Sequence, residues 1–459
     1  MERRKFLKSL GGAASFSTAA ALSTAALSGC SDSPNGAAGP DSAPVPTDQM
    51  TYRTDPHTGD RISLLGYGCM RFPFRPVGSG PSQEELIDQE AVNELIDYAL
   101  AHGVNYFDTS PVYLRGLSER ATGIALSRHK REEYFLATKL SNMSPAARSR
   151  EASIAMFENS FKALQVDYFD YYLVHSVGNY EIFEERYLKN GMMDFLVKAK
   201  EEGRIRNLGW SFHGKKEFFD WMLSPACGVK WDFVQIQLNY LDWQHATGRN
   251  VNAEYLYGEL AKRGIPAVIM EPLLGGRLAR TNIKAREMLQ KARPDQSAAS
   301  WAFRFAGSPP GVLTVLSGMM FLDHLKENIR TFSPLEPVSD SEKAVLEEVT
   351  QTLMEFKTIS CTACNYCMPC PYALDIPGIF LYHNQCLNEG TFPAEKSDPN
   401  YARARRAFLA GYDQAIPKLR QAEMCVGCDL CRPECPQFIN IPDELAGIDR
   451  FVEALRKEG

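Results

Sequence analysis

Eight short apolar runs, separated by helical stretches, constrain the fold of this chain more than any other feature. The runs lie near residues 65, 105, 135, 171, 208, 234, 267 and 313. Between the first two, Val92, Leu95 and Ile96 share one face of a predicted helix that stops near His102. Eight strand–helix units favour a closed (β/α)8 TIM barrel, in the α/β class, over an open doubly wound sheet. No Gly-x-Gly-x-x-Gly follows an early strand, which also disfavours the open sheet.

Polar side chains stand where several of these runs end. Asp108 ends NYFD, Lys139 ends ATK, His175 ends LVH, and Tyr113 follows Asp108 on the next loop. Because the carboxyl ends of parallel barrel strands meet at one rim, the four side chains are expected to converge. Singly, such residues are more often a helix cap, a packing ring or a structural imidazole. Together they predict a site that reduces a carbonyl group, which needs a proton donor beside a hydride donor.

Each of the four residues has a predicted role in that reaction. Tyr113 is the proton donor, and His175 donates a hydrogen bond to the substrate oxygen. A free phenol has a pKa of about 10, so Lys139 is predicted to lower the pKa of Tyr113. Asp108 is predicted to pair with Lys139 and to hold it in place.

The motifs FDTSPVY, ATK, LVH, QIQLNY and EPLLGGRLA together resemble those of the aldo/keto reductase family, over about residues 50 to 335. The resemblance implies a (β/α)8 barrel that uses NADPH or, in some members, NADH. It maps the family's catalytic tetrad onto Asp108, Tyr113, Lys139 and His175 without a substitution. It also implies a set of cofactor-binding positions: Met70, Ser211, Gln235, Pro272, Leu273, Gly275, Ser317, Gly318 and Asn328.

These cofactor positions fall into groups along the implied nucleotide. Ser211 and Gln235 match residues that hold the nicotinamide carboxamide. The Pro272–Leu273–Gly275 loop matches the pyrophosphate contact, where small residues let the backbone approach phosphate. Ser317, Gly318 and Asn328 match the adenosine end. Met270 stands where many members place an aromatic ring, and no Lys/Arg pair marks a 2′-phosphate clamp, so NADP and NAD both stay open.

Two cysteine runs near the C-terminus give a second strong pattern. Their members are Cys361, Cys364, Cys367 and Cys370 in the first run, and Cys425, Cys428, Cys431 and Cys435 in the second. Thiolates three residues apart can wrap an iron–sulfur cube, and a remote cysteine before proline completes the neighbouring cube. The crossed pattern therefore predicts two [4Fe-4S] clusters, the first completed by Cys435 and the second by Cys370.

Other interpretations of these cysteines stay open. The first run is one residue short before its last cysteine, which makes Cys386 an alternative ligand. Zinc prefers paired knuckles, and disulfides at such dense spacing would be strained. The CTACNYCMPCP run also resembles the ferredoxin-like C-terminal extension of some aldo/keto reductases. Cys69 and Cys227 are predicted to be buried structural thiols.

The first thirty residues are predicted to be an export signal, because a basic start precedes a mildly apolar run and small residues before Cys30. Arg3-Arg4 with the following FLK resembles a twin-arginine signal, and LSGC resembles a lipobox that would make Cys30 a lipidated residue. A transmembrane anchor or a disordered tail is the alternative. The twin-arginine route carries folded proteins, so a cluster inserted in the cytoplasm could survive export. Residues 31–49 are predicted to be a flexible tether.

The chain is therefore divided into a signal (1–30), a tether (31–49), a barrel (50–356) and a helical, cysteine-rich, ferredoxin-like region (357–459). With a net charge of -6 and no later basic run, no nucleic-acid partner is expected. The predicted protein is an extracytoplasmic, lipid-tethered oxidoreductase acting on a small aldehyde, ketone or sugar, with a redox partner as a further possibility. The alternative is an electron-transfer or interaction protein in which the barrel is only a scaffold.

Overall fold

The computed structural model describes residues 44–75, 87–247, 250–356 and 358–458. The predicted signal, the lipidated Cys30 and most of the tether lie outside the described residues, as does part of the loop after the first barrel strand. Pro44–Gly459 make up one compact unit. Across the described ranges, none of the helices combines the length and apolar character needed to cross a bilayer.

A short hairpin precedes the barrel. Strands β1 (Tyr52–Thr54) and β2 (Arg61–Ser63) pair antiparallel. Beside them, Asp55 accepts a hydrogen bond of 2.7 Å from the hydroxyl of the buried Tyr171. Ile62 packs with Tyr106 and Tyr171 in the barrel interior. The hairpin and its turn therefore fill the end of the barrel opposite the strand carboxyl ends.

Eight parallel strands close into a barrel in the predicted order. They are β3 (Leu65–Gly68), β4 (Tyr106–Asp108), β5 (Phe135–Leu140), β6 (Phe169–Val177), β7 (Ile205–Phe212), β8 (Phe233–Gln237), β9 (Ala267–Met270) and β10 (Val312–Ser317). Each pairs with its sequence neighbour, and β10 pairs with β3 to complete the ring. The (β/α)8 prediction is confirmed. Because all strands are parallel, their carboxyl ends open onto one mouth.

Helices cover the outside of the barrel. They are α1 (Gln89–Ala101), α2 (Ser118–Leu126), α3 (Arg150–Leu164), α4 (Tyr180–Phe183), α5 (Met192–Glu201), α6 (Lys216–Met222), α7 (Asp242–His245), α8 (Ala253–Lys262), α9 (Ile283–Ala292), α10 (Ala298–Gly307), α11 (Leu322–Phe332) and α12 (Asp340–Glu355). Helix α1 begins where the Asp88 carboxylate accepts from the Ala91 backbone, and it buries its predicted apolar face. Helix α12 begins with a capping box between Ser339 and Glu342.

The cysteine-rich region contains three helices with a core of their own. They are α13 (Ile376–Asn388), α14 (Tyr401–Ala415) and α15 (Ile441–Lys457). Phe380, Phe408, Tyr412 and Val452 pack together in this core, which is distinct from the barrel core. A separate core is typical of a domain, so it supports the predicted division near residue 357. That boundary itself remains a prediction.

Candidate active site

The convergence of Asp108, Tyr113, Lys139 and His175 is the central feature of the barrel mouth. The Lys139 ammonium donates to Asp108 at 2.6 Å and to the Thr109 carbonyl at 2.7 Å. The side chains of Lys139 and Asp108 are only 1% and 3% exposed. The Lys139 nitrogen lies 4.8 Å from the ring centre of Tyr113. The ring centres of Tyr113 and His175 are 5.9 Å apart and nearly perpendicular.

Local backbone geometry helps to present these groups at the mouth. Leu114 and Arg115, directly after Tyr113, have positive φ angles of 52° and 58°. Ser176 and Glu271 follow His175 and Met270 with φ angles of 50° and 53°. Left-handed conformations cost energy in residues other than glycine and persist where the surrounding packing enforces them. The chain is therefore tightly constrained beside Tyr113 and His175.

His175 is held as a neutral imidazole. Its Nδ1 is 2.5 Å from the Ser141 hydroxyl, which in turn lies 2.8 Å from the Ser110 hydroxyl. Burial lowers the pKa of His175 well below its ordinary value, and the nearby charges of Lys139 and Arg186 add to the effect. With Nδ1 engaged by Ser141, Nε2 is the nitrogen left to meet a ligand.

The predicted lowering of the Tyr113 pKa by Lys139 is wrong for this structure. Burial raises the pKa of Tyr113 well above 10, and nearby Tyr366, Asp108 and Glu271 raise it further. Lys139 is committed to Asp108, and burial lowers the pKa of Lys139. The ammonium therefore stabilises a Tyr113 phenolate less than an unpaired cation would. The phenol stays protonated at neutral pH, as a proton donor requires.

A cavity of about 470 Å³ opens at this mouth, and the tetrad lines it. It is also lined by every predicted cofactor position: Met70, Ser211, Gln235, Pro272, Leu273, Gly275, Ser317, Gly318 and Asn328. The side-chain oxygen of Gln235 is buried without a hydrogen-bond partner. An amide N–H such as that of a nicotinamide carboxamide would satisfy this oxygen, so the wall fits the predicted cofactor.

The loop predicted to run along a pyrophosphate has a second role in this structure. Gly275 has a φ of 66°, and a Cβ at this position would overlap the backbone of Thr362 in the cysteine-rich region. Arg71 also donates to the Thr362 carbonyl at 2.6 Å. Because Gly275 has no side chain, the cysteine-rich region can pack against the barrel mouth. The approach of a phosphate to the backbone is therefore not the only reason for a glycine at this position.

The eight cysteines of the two runs gather around two separate hollows. Cys361, Cys364, Cys367 and Cys435 line one of them. Cys370, Cys425, Cys428 and Cys431 line the other, which has a volume of about 300 Å³ and which Cys367 also reaches. The grouping follows the predicted crossed pattern, in which each run lends its last cysteine to the other.

The thiols around the two hollows are free, and burial raises the pKa of several of them. Burial raises the pKa of Cys364 to about 12, with further contributions from Glu271, Cys361 and Cys435. All cysteines in the described ranges are free, so the disulfide alternative is not realised. Within the same ranges, no three His, Cys, Asp or Glu side chains converge as a single metal ion requires.

The remaining cysteines lie away from both hollows. Cys386 is buried on helix α13, near Tyr382 and Thr391, and lines neither hollow. Its prediction as an alternative ligand is therefore not supported, because the helix directs it into the core of the cysteine-rich region. Cys69 and Cys227 are buried in the barrel core, as predicted.

The sequence reasoning missed several residues of the cavity wall. Cys364 and Tyr366 come from the cysteine-rich region, and Glu271 follows Met270 at the end of β9. Ser141 contacts His175 from the end of β5. Ser141 and Glu271 could have been found, since each follows a strand that already carried a predicted site residue. Nothing local in CNYC indicates that Tyr366 reaches the tetrad.

A closed (β/α)8 barrel with an Asp–Tyr–Lys–His constellation beside a mouth cavity defines a class of barrel oxidoreductase. The "Aldo/keto reductase family" profile matches residues 65–350, and the chain belongs to that family. It is an aldo/keto reductase-type oxidoreductase.

Curated relatives match the chain at low identity. A probable aldo-keto reductase of Glycine max is 31% identical over 159 residues, which are 33% of this chain and 42% of that protein. An uncharacterised oxidoreductase of Bacillus subtilis is 21% identical over 64% of this chain and 94% of its own length. L-Galactose dehydrogenase of Arabidopsis thaliana is 25% identical over 66% of this chain and 94% of its own length.

Solved structures give the same fold. An aldo-keto reductase of Bacillus halodurans superposes with a TM-score of 0.50 at 21% identity, covering 65% of this chain and 96% of that one. A thermostable aldo-keto reductase in complex with the inhibitor epalrestat gives a TM-score of 0.51 at 22% identity, covering 65% and 100%. These likenesses cover 65% of this chain and show the fold alone.

Proposed function

We propose that this protein reduces a small aldehyde, ketone or sugar with NADPH or NADH, and that its C-terminal region carries two [4Fe-4S] clusters. The observation that carries the proposal is the shared cavity: the four catalytic candidates and the nine cofactor positions line one space at the barrel mouth. A sugar substrate is consistent with the L-galactose dehydrogenase relative.

Each residue of the site has its own role in the proposed carbonyl reduction. A bound reduced nicotinamide supplies a hydride. Tyr113 donates its proton to the carbonyl oxygen as negative charge develops there. The neutral His175 holds that oxygen through Nε2, since Ser141 engages Nδ1. The buried Lys139–Asp108 ion pair lies beside Tyr113, and the Lys139 ammonium faces the phenol ring. The side-chain oxygen of Gln235 would accept from the nicotinamide amide.

The donor sets of the two hollows suit iron–sulfur clusters. Cys361, Cys364, Cys367 and Cys435 would hold the inner cluster, beside the barrel mouth. Cys370, Cys425, Cys428 and Cys431 would hold the outer one, where Cys428 is exposed. Thiolates are the usual ligands of such clusters, and the exposed Cys428 would bring the outer one near a redox partner.

We place the mature protein outside the cytoplasm, exported by the twin-arginine route and tethered to the membrane through a lipidated Cys30. The support is in the sequence: the RR-FLK start, the LSGC motif and the Ser/Pro-rich tether. An exported reductase meets little free nucleotide, so it would leave the cytoplasm with its nucleotide bound or would receive electrons from a partner.

The second candidate is an electron-transfer protein in which the barrel only supports the clusters. The two gathered cysteine quartets favour it. The intact buried tetrad argues against it, because a scaffold gains nothing from a desolvated ion pair at an open cavity.

Nucleotide titration separates the two candidates. The anaerobically purified, cluster-loaded protein is titrated with NADPH and with NADH while binding is followed by calorimetry and cluster absorbance is recorded. We expect one nucleotide to bind without bleaching, followed by turnover of at least one carbonyl in a panel of aldehydes, ketones and aldoses. No binding of either nucleotide would favour the electron-transfer candidate. Bleaching on addition of nucleotide would show electron transfer from nucleotide to cluster.

Removing one predicted ligand tests the cluster assignment. We expect Cys428→Ser to lower the iron content from about eight to about four atoms per chain and to weaken the visible absorbance, because one cube loses a ligand. Cys386→Ser is the matched control, since Cys386 is a cysteine of the same region that lines neither hollow. Equal iron in wild type and Cys428→Ser would contradict the assignment.

A further inference from the structure

A buried arginine contacts the backbone of the catalytic candidate His175. Arg186 is 3% exposed and belongs to a π-helical turn, Glu184–Leu188, that follows helix α4. The next residue, Tyr187, is fully buried. Turns of this kind are rare and occur frequently at functional sites. Here two neighbouring side chains, those of Arg186 and Tyr187, both point inward to the carboxyl ends of β5 and β6.

The two side chains bind the end of β6. Arg186 Nη2 donates to the His175 carbonyl at 2.8 Å, and Nη1 donates to the Ser176 carbonyl at 3.1 Å. The Tyr187 hydroxyl accepts from the His175 backbone N–H at 3.2 Å. Ser176 has the left-handed φ described above, and its N–H donates to the Ser211 hydroxyl at 2.8 Å. Hydrogen bonds therefore hold both backbone groups of His175 and the left-handed residue that follows it.

The same arginine and tyrosine bind the end of β5. The arginine Nε donates to the Asn142 side-chain oxygen at 3.0 Å, and the tyrosine hydroxyl donates to the Leu140 carbonyl at 2.9 Å. These two partners flank Ser141, whose hydroxyl bonds Nδ1 of His175. The backbone is therefore fixed on both sides of the Ser141–His175 hydrogen bond.

Neutral groups, and no carboxylate of the described residues, accept the hydrogen bonds of Arg186. These acceptors are the His175 and Ser176 carbonyls, the Asn142 amide oxygen and the Tyr187 hydroxyl. The neighbouring Glu185 pairs with Arg148 instead, at 2.8 Å. A buried charge normally has an ionic partner, because its desolvation is costly. The Arg186 charge therefore acts on His175 without compensation by an acid, and it disfavours the imidazolium form.

We propose that Arg186 is a positioning residue of the active site, which holds the ends of β5 and β6 together so that Ser141 binds Nδ1 of His175 and Nε2 faces the substrate oxygen. Arg186 does not line the cavity, so it acts through His175. The role requires an arginine, because a planar guanidinium can donate to both strand ends at once, whereas a lysine ammonium keeps the charge but lacks this fork of donors.

This proposal rests on the proposed reductase function, and its first readout is turnover of the cluster-loaded enzyme. In Arg186→Lys we expect kcat to fall about 10- to 100-fold, because His175 leaves its reactive position. Far-UV circular dichroism should match wild type. Arg150→Lys is the matched control, since Arg150 also donates to backbone carbonyls, those of Asn190 and Gly191, but on the surface. It should keep the wild-type kcat.

The second readout needs no turnover. Histidine side chains are labelled with nitrogen-15, and the His175 resonances are assigned by their loss in His175→Gln. From about pH 5 to 8, wild type should show a neutral imidazole with its proton on Nε2. Arg186→Lys should mix the two neutral tautomers, because Ser141 no longer fixes Nδ1. Arg186→Gln also removes the charge, so it should raise the protonation midpoint of His175 towards its ordinary value of about 6.5.

The rise in Arg186→Gln should be partial. Burial is the largest cause of the low pKa of His175, and it is retained in the variant. The other charged or titratable groups that face His175 are also retained: Lys139 on β5, His213 after β7, Tyr113 on the loop after β4, and Tyr187. A change in the midpoint therefore reports on position 186.

The outcomes separate this proposal from the reductase. Unchanged His175 resonances in Arg186→Lys would overturn the positioning role, even with a lower kcat, because the loss would then be a general structural effect. An equal fall in kcat in Arg150→Lys would overturn it as well. A wild type that reduces no carbonyl would refute the reductase, and the resonances alone would then decide whether Arg186 positions His175. If Arg186→Gln does not fold, Arg186→Lys, which keeps the buried charge, decides.

Discussion

Replacing Tyr113 by phenylalanine should lower kcat for carbonyl reduction by about 10²- to 10⁴-fold, the range expected for loss of a general acid. Nucleotide affinity should change little, because the hydroxyl acts on the transition state and the ring remains. The measurement is single-turnover reduction of the best carbonyl substrate, with nucleotide binding followed by calorimetry on the same preparation.

The pH dependence of the wild type gives a companion result. Burial raises the pKa of Tyr113, so its acid form persists as the pH rises. Reduction should therefore keep its rate into the alkaline range, and it should fall only when Tyr113 ionises. The low pKa of His175 means that it is already neutral at pH 7 and adds no step above that pH.

Tyr180→Phe is the control for Tyr113→Phe, because Tyr180 is 43% exposed on the barrel surface. It should keep wild-type turnover. Near-normal reduction by Tyr113→Phe would remove Tyr113 from the mechanism and would leave the convergence at the mouth without a proton donor.

Breaking the buried ion pair should have the second large effect. Lys139→Met leaves Asp108 buried and unpaired, and removal of one partner from such a pair costs about 3–5 kcal/mol. Unfolding by urea, followed by circular dichroism, measures the loss. Turnover should also fall strongly, because the ammonium that faces the Tyr113 ring is lost and the Thr109 carbonyl loses its hydrogen-bond donor.

The loss should depend on pH in a defined direction. Burial already raises the pKa of Asp108, and Lys139 opposes that rise. Without Lys139 the folded-state pKa of Asp108 rises further above its unfolded value of about 3.9. Between these two pKa values the folded state binds more protons, so stability falls as the pH increases. Lys139→Met should therefore be more unstable at pH 8 than at pH 5.

The double variant Lys139→Met/Asp108→Asn separates charge from packing. With no charge left in the site, it should recover part of the stability lost in Lys139→Met, and its pH dependence should be weaker. Equal instability in the single and double variants would show that the loss comes from packing and not from the unpaired carboxylate.

The barrel and the tetrad were predictable because local signals and one geometric rule suffice for them. Apolar runs and helix faces gave the eight strands, and parallel strands place their carboxyl ends at one mouth. Residues at the carboxyl ends of strands or on the loops that follow, such as His175, Asp108 and Tyr113, must then lie close together. The chemical roles of the tetrad residues were less predictable than their positions. The direction of the Tyr113 pKa shift depends on burial and on which partner holds Lys139, and neither is visible in a motif.

The amino-acid sequence alone thus determined the barrel, and it predicted the tetrad, the cofactor positions and the grouping of the cysteines by their spacing. Only the tertiary structure showed that the cysteine-rich region packs against the barrel mouth and that Cys364 and Tyr366 line the same cavity as Tyr113. The reason is that the contacts join segments far apart in the chain. Arg71 donates to the carbonyl of Thr362, and Gly275 has no side chain that would overlap Thr362. Periodicity and spacing report on neighbours in sequence. The packing of the cysteine-rich region against the barrel mouth depends on the shapes of the two folded surfaces.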